Sequence, residues 1–384
     1  MGTKNQQLKV LHLINRLACG GLETWIMEMA RKRNRDELQI DVCQIDPQLR
    51  VGAYEEEFEK LGGRIHRCPL RKNIFAFNSD FKKILIAGNY DILHSHHYFA
   101  SGYFLKIAKN IPNLKLVAHM HPTADMAQDR VVFPRSLYQF VMKRWIKTYA
   151  DAILGASNAT LDTIWGTGWR DNPRIHFQPN GIDMALFEQD VDPLEMRNRL
   201  GLNRNSKIIL TVGRHVKHKN HILIPEIARL ICRQEPEAYF VINGVGPLRE
   251  IVEKRVAELG LSKKFRFLDG MPNLVPLWKS SDVFLFPSLM EGFGIVVIEA
   301  AAAGLPVVAH QIPGVMEAAT ACHKAILLPT GTSPSKWSES VLTMLDTGRL
   351  VGDKYLKHKQ NFKFTTENSL RCLLEVYRQL TAGK

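Results

Sequence analysis

The chain alternates short apolar runs with longer amphipathic stretches from end to end. Lys9-Val10-Leu11-His12-Leu13-Ile14 reads as a buried strand. Gly20-Gly21 follow, and an amphipathic helix is predicted from about Leu22 to Lys32. Further strands are predicted near 38–45, 91–94, 115–119, 151–154 and 174–177, with helices between them. The rhythm pauses at Pro179-Asn180-Gly181-Ile182-Asp183. It restarts with Lys207-Ile208-Ile209-Leu210-Thr211-Val212-Gly213 and continues with strands near 238–242, 265–268, 283–286, 306–309 and 325–328. A last helix covers about 366–381. Near-continuous apolar strands separated by helices make parallel sheets covered on both faces. The predicted fold class is therefore α/β: two Rossmann-like, doubly wound parallel-sheet domains facing a central cleft. The expected domains are 1–178 and 179–365. A chain of 384 residues also exceeds the usual ceiling for one hydrophobic core.

Two carboxylates stand out against this pattern. Val283-Phe284-Leu285-Phe286 runs into a Pro-Ser turn, then Glu291-Gly292-Phe293-Gly294, then an apolar helix carrying Glu299. That places both at the carboxyl end of a strand and the start of the next helix, where open α/β sheets bind ligands. The glycines free backbone N–H groups to face an anion at the helix N-terminus. Residues around Glu299 are apolar on all sides, so its carboxylate needs a partner. The pattern suggests a nucleotide-sugar site.

Other loops point the same way. Gly20-Gly21 follow the first strand and suit a phosphate. Val212-Gly213-Arg214 ends the first strand of the second half, and Lys219 lies in the next loop; Arg214 and Lys219 could neutralise a diphosphate. Asn243-Gly244-Val245-Gly246-Pro247 resembles a dinucleotide fingerprint but has Arg249 where the third glycine belongs, which favours a tight turn near a nucleotide over hydride transfer. His94, His96, His97, His119 and His121 gather at two strand ends. No Cys or carboxylate has metal spacing nearby. The alternation of His119 and His121 along a strand predicts that only one faces the ligand, the others being structural. Asp190-Val191-Asp192 falls in a polar loop and reads as solvated.

Composition limits the partners. The net charge is +13, with 25 basic and 17 acidic side chains in 1–180 against 26 and 21 in the rest. Phosphorylated substrates, an anionic membrane surface or nucleic acid would each suit that excess, but no nucleic-acid motif is present. Arg130 to Ala150 carries Arg130, Arg135, Lys143, Arg144 and Lys147 and no acid. Leu137, Val141, Trp145 and Tyr149 recur every four residues there, predicting an amphipathic helix. It either packs with a wet basic face or lies on an anionic membrane. No apolar run reaches membrane-span length. Six scattered cysteines and a polar start without a signal-peptide pattern fit a cytoplasmic protein, at most touching the inner face of the membrane.

Taken in order, these motifs resemble glycosyltransferase family 4, the retaining nucleotide-sugar transferases of the GT-B fold. The resemblance runs over nearly the whole chain. It rests on Glu291 and Glu299, Pro179 to Asp183 with Phe187, Arg214 and Lys219, Gly20-Gly21, Gly244-Val245-Gly246-Pro247 and Phe267-Leu268-Asp269-Gly270. Gly20-Gly21-Leu22-Glu23-Thr24-Trp25, His94-Ser95-His96 with Ser101-Gly102, and Ala118-His119-Met120-His121 look most like the bacterial exopolysaccharide and capsule branch. Met120 departs from the serine common at that position.

The resemblance implies an N-terminal acceptor-side domain and a C-terminal donor domain, with the helix after about 366 crossing back to the first. It implies hexosyl transfer from a nucleotide-diphosphate sugar to a glycan or lipid-linked acceptor, with no cofactor and no metal. Arg214 and Lys219 would hold the leaving diphosphate, and Glu291 would face the donor sugar hydroxyls. Glu299 would hold the ribose, and His121 would lie beside the reacting sugar. Gly20, Gly21, Gly213, Gly244, Gly270, Met271, Gly292, Phe293, Gly294 and Ile295 would complete the donor contacts. Two other readings stay open: a nucleotide-sugar epimerase, which shares this fold, and a non-catalytic basic module for nucleic acid or membrane.

Overall fold

The computed structural model describes residues 7–382 apart from 19, 72, 122–134 and 272, so Arg130 lies outside the described residues. The chain forms two compact units, Met1–Gly181 with Thr366–Lys384, and Ile182–Thr365. Each is built on an all-parallel sheet.

The first sheet has seven strands: β1 Leu8–Ile14, β2 Leu38–Gln44, β3 Ile65–Arg67, β4 Ile92–Ser95, β5 Lys115–Met120, β6 Ala152–Gly155 and β7 Ile175–Phe177, in the order β3-β2-β1-β4-β5-β6-β7. Order reverses between β1 and β4, which leaves a crevice at their carboxyl ends. Strand β3 has no counterpart among the sequence-predicted elements: three edge residues, two half-buried and one exposed, carry no readable period. The faces of β1 divide its side chains. Leu11 and Leu13 pack with Phe77, Phe81, Leu93 and Phe104, while Val10 and Ile14 pack with Trp25, Met29, Leu373 and Tyr377.

The second cluster unites the helix Gly21–Lys32 with the helix Thr366–Thr381, which belongs to this first unit. Trp25 Nε1 donates to Ser369 Oγ at 2.9 Å, and Gln178 Nε2 donates to the Ser369 carbonyl at 2.9 Å. These buried polar contacts tie the last helix to the first.

The second sheet has six strands: β8 Lys207–Val212, β9 Ala238–Asn243, β10 Phe265–Leu268, β11 Val283–Phe286, β12 Val307–His310 and β13 Ala325–Leu328, in the order β10-β9-β8-β11-β12-β13. Its switch point lies between β8 and β11. Ile182 and Thr365, the first and last residues of this unit, pair as an isolated parallel bridge.

The helix Arg135–Tyr149 corrects one expectation. Met142 and Ile146 are its buried residues, whereas Leu137 is 53% exposed, and Trp145 and Tyr149 are half-buried. The ammonium groups of Lys106 and Lys109 cover those two rings at 3.8 and 5.0 Å. Tyr138-Met142-Ile146-Ala150 has the same four-residue spacing as the stripe read from sequence, so spacing alone could not choose the buried row. Asp192 is also more than solvated: its side chain accepts from Leu194 N at 2.9 Å and caps the helix Pro193–Arg199. Cys43, Cys68, Cys232, Cys322 and Cys372 are free thiols. No described helix is long and apolar enough to cross a membrane.

Candidate active site

In the second unit the loops after β8 and β11 emerge on either side of the switch point and bring Lys219 to Glu291. Lys219 Nζ donates to Glu291 Oε1 at 2.5 Å, with 16% and 14% of the two side chains exposed. The Ser288 hydroxyl donates to the same oxygen at 2.6 Å. The loops are laced by their backbones: Leu289 N donates to the His218 carbonyl at 2.7 Å. Beneath them His310, at the end of β12, donates through Nδ1 to the Pro287 carbonyl at 2.9 Å. Gly314 lets the next helix close in, since a Cβ there would lie 2.6 Å from the Glu291 carbonyl.

Gly294 caps the helix Ile295–Ala302 at φ +90°, a left-handed conformation that glycine adopts without strain. The first turn of that helix faces the Glu291 loop, and its end carries partial positive charge. The Phe293 ring is buried in the core beside Phe364, 5.2 Å between centroids. Only its backbone can serve a ligand. Glu299 is half-buried, its Oε2 has no partner among the described residues, and burial pushes its carboxyl up to about 7. A carboxyl so placed is a ready acceptor for hydroxyl donors.

Around this centre Gly244 lies so near the end of β8 that a Cβ would fall 2.0 Å from the Gly213 carbonyl. Asn243, buried at the end of β9, accepts from Met271 N at 3.0 Å and fixes the Gly270-Met271 turn. Arg214 is exposed and makes no ion pair among the described residues. The expected basic pair therefore differs in state: Lys219 is matched to a carboxylate, and Arg214 faces solvent. Ser288, His218, His310 and Gly314 were not singled out from sequence. Ser288 and His310 each close an apolar strand run, and that position was a usable signal.

In the first unit Gly20 and Gly21 start the helix after β1. Beside them lies a cluster of histidines larger than the sequence reading foresaw. His12 pairs across from His94 in the sheet, and His96, His119 and His121 join them. The expectation that His119 and His121 face opposite ways is corrected, because residues two apart in a strand share a face. Their ring centroids are 4.0 Å apart. His12, His94, His96 and His119 are buried, and Trp25 and Tyr377 close over them. Tyr377 OH lies 2.5 Å from His94 Nδ1. Burial lowers His12 to about 3 and His121 to about 4, and holds His94, His96 and His119 well below the ordinary range. Two triads, His12/His94/His96 and His96/His119/His121, bring candidate metal-ligating nitrogens within 4.8 Å of one another.

Comparison with known proteins identifies the architecture. The family Glycosyl transferases group 1 matches residues 193–363, and Glycosyltransferase Family 4 matches residues 19–186. EpsF of Bacillus subtilis (strain 168), named as a glycosyltransferase, is 26% identical over 97% of both chains. The D-inositol 3-phosphate glycosyltransferase of Corynebacterium efficiens is 27% identical over 95% of this chain and 92% of its own. CapH of Staphylococcus aureus, a capsular polysaccharide biosynthesis glycosyltransferase, is 27% identical over 76% of this chain and 78% of its own. Among solved structures, Anabaena Alr3699/HepE in complex with UDP and glucose superposes with a TM-score of 0.76 at 17% identity, covering 97% of this chain and all of that one.

The two-sheet architecture and these matches define a glycosyltransferase of the GT-B fold. Within that class the chain belongs to glycosyltransferase family 4, the two matched regions together taking in most of its length.

Proposed function

We propose that the protein transfers a hexose, with retention of anomeric configuration, from a nucleotide-diphosphate sugar to a glycan or lipid-linked acceptor in cell-surface polysaccharide synthesis. The observation that carries this reading is the Lys219–Glu291 pair at the switch point of the second sheet, with a helix N-terminus beside it. The capsule relative and the UDP-bound structural neighbour support the substrate classes.

In this account the donor diphosphate displaces the carboxylate from Lys219 and recruits Arg214. Glu291 is released to accept hydrogen bonds from the sugar hydroxyls, and Glu299 accepts from the ribose. The helix N-terminus and both cations stabilise charge as the C1–O bond to the diphosphate breaks. The acceptor oxygen bonds to C1 on the same face, and the departing phosphate oxygen takes the acceptor proton. Basic side chains do the electrostatic work here, so no metal is invoked. Gly21 is assigned to the phosphate and His121 to the reacting sugar. No second carboxylate is assigned as a nucleophile, which separates this scheme from that of retaining glycosidases.

Membrane contact belongs to the same proposal. Leu137 and Phe140 (65% exposed) stand beside Arg144 and Lys147, an apolar and basic surface suited to anionic lipid. A cytoplasmic site facing that membrane follows. Incubation with sugar donors tests the whole reading. Nucleoside diphosphate should appear only when an acceptor is turned over, whereas acceptor-independent conversion of the sugar would favour the epimerase.

A further inference from the structure

Three of the clustered imidazoles form a chain. His12 Nδ1 lies 2.8 Å from His96 Nε2, and His96 Nδ1 lies 3.1 Å from His121 Nε2. The ring centroids are 5.1 and 5.3 Å apart, which is each N···N distance plus a ring radius at either end. The bonded nitrogens thus lie on the line of centres, as an in-plane N–H···N bond requires. A neutral imidazole carries one N–H and one bare nitrogen. Two linked bonds among three neutral rings therefore admit only two proton arrangements, and all three rings must switch together.

The inner end selects between them. His12 is buried, and its Nε2 has no partner among the described residues. If protons point inward, His12 carries a buried N–H with nothing to receive it. If they point outward, Nε2 is only a bare lone pair. Orphaned buried N–H groups are rarer than under-satisfied acceptors. His12 and His96 are buried and His121 is half-buried, and their bonded partners are other imidazoles and no carboxylate among the described residues, a setting that disfavours the charged form. The neighbouring titratable groups are His94, His119 and Tyr377. Tyr377 OH bonds His94 Nδ1 at 2.5 Å, outside the three-ring chain.

We infer that His12 and His96 are positioning residues that fix His121 as the Nδ1–H tautomer, presenting a neutral hydrogen-bond donor and not a base. The first link is His12 donating to His96, the second His96 donating to His121. The consequence for catalysis rests on the proposed role of His121 beside the sugar: Nδ1–H would donate to a sugar hydroxyl or ring oxygen and could not take the acceptor proton. The sequence hides this device, because the inner member sits on β1, far along the chain from His96 and His121.

The test is nitrogen-15 NMR of the full chain labelled at histidine, read without any substrate. In the wild type, His121 should carry its proton on Nδ1 with Nε2 bare. In His96→Leu the proton should move wholly or partly to Nε2, and His96→Gln, whose amide can donate, should restore the wild-type pattern. His12→Phe frees His96 to flip and should give a mixture; it keeps the test open if His96→Leu does not fold. With an active donor, His96→Leu should lower kcat at least tenfold while donor KM stays within about twofold, and His96→Gln should recover most of the loss. A wild-type His121 protonated on Nε2, or a tautomer indifferent to His96→Leu, overturns the inference. So does a zinc ion co-purifying on these nitrogens. Absence of any transfer while His121 keeps its Nδ1 proton would sink the transferase reading alone.

Discussion

Glu299 shows how a residue proposed to bind ligand can oppose folding. Its carboxyl sits at about 7 in the folded protein against 4.5 for a free side chain, because burial disfavours its charge. Stability is therefore full below about 4.5 and falls as pH rises from there through 7. Glu299→Gln should remove that slope and stabilise the protein at pH 8 by about 2 kcal/mol, allowing for partial exposure. Urea denaturation at pH 5 and 8 reads this directly. Hydroxyl donors favour the ionised form, so nucleotide affinity should rise with pH through 7 in the wild type and lose that dependence in the variant. Lys219→Ala leaves Glu291, among the described residues, with the Ser288 hydroxyl alone and should destabilise by about 1–2 kcal/mol, less than for a fully buried pair. Both carboxylates were legible in sequence, as was Lys219. Their pairing was not, since it depends on which two loops flank the switch point.

At the scale of elements, the sheets were legible because buried parallel strands write continuous apolar runs. What escaped was either too short or too symmetric. β3 has three residues, and the helix Arg135–Tyr149 offers two apolar rows of equal spacing. The histidine stripe was readable in principle, since His12, His94 with His96, and His119 with His121 follow the two-residue period of a strand. Joining them required the strand order β1-β4-β5, which only the fold supplies. The stripe has its own pH signature. His12, at about 3 when folded and 6.5 when free, stabilises the fold above 6.5 and loses that contribution as pH falls toward 3. Its neighbours act in the same direction. The urea midpoint should fall steeply below pH 6.5, and His12→Phe should make that fall shallower. The glycine turns set a second requirement. Gly244→Ala forces a Cβ onto the Gly213 carbonyl, and should cost about 3 kcal/mol or more and weaken nucleotide binding with it. A melting curve with and without UDP reads both losses.

For the molecule as a whole, the fold class was available from the alternation of elements alone, and the ordered set of motifs carried the family. Donor base, sugar and acceptor did not follow, because base contacts in such sites are commonly made by backbone groups that carry no sequence signature. The charge excess and the surface of Leu137 and Phe140 make a separable prediction. The protein should co-sediment with anionic but not neutral vesicles at low salt, and added salt should release it. Absence of binding to anionic vesicles at low salt would remove membrane contact from the account without touching the donor site.

The central claim is that Lys219 and Glu291 form the donor site of a transferase. Nucleoside diphosphate release from a panel of UDP-, GDP- and ADP-sugars, with a polyprenyl-diphosphate or glycan acceptor present, tests it most directly. The account predicts release from at least one donor, falling a hundredfold or more in both Lys219→Ala and Glu291→Ala while each variant still folds. Full activity in both variants would contradict it.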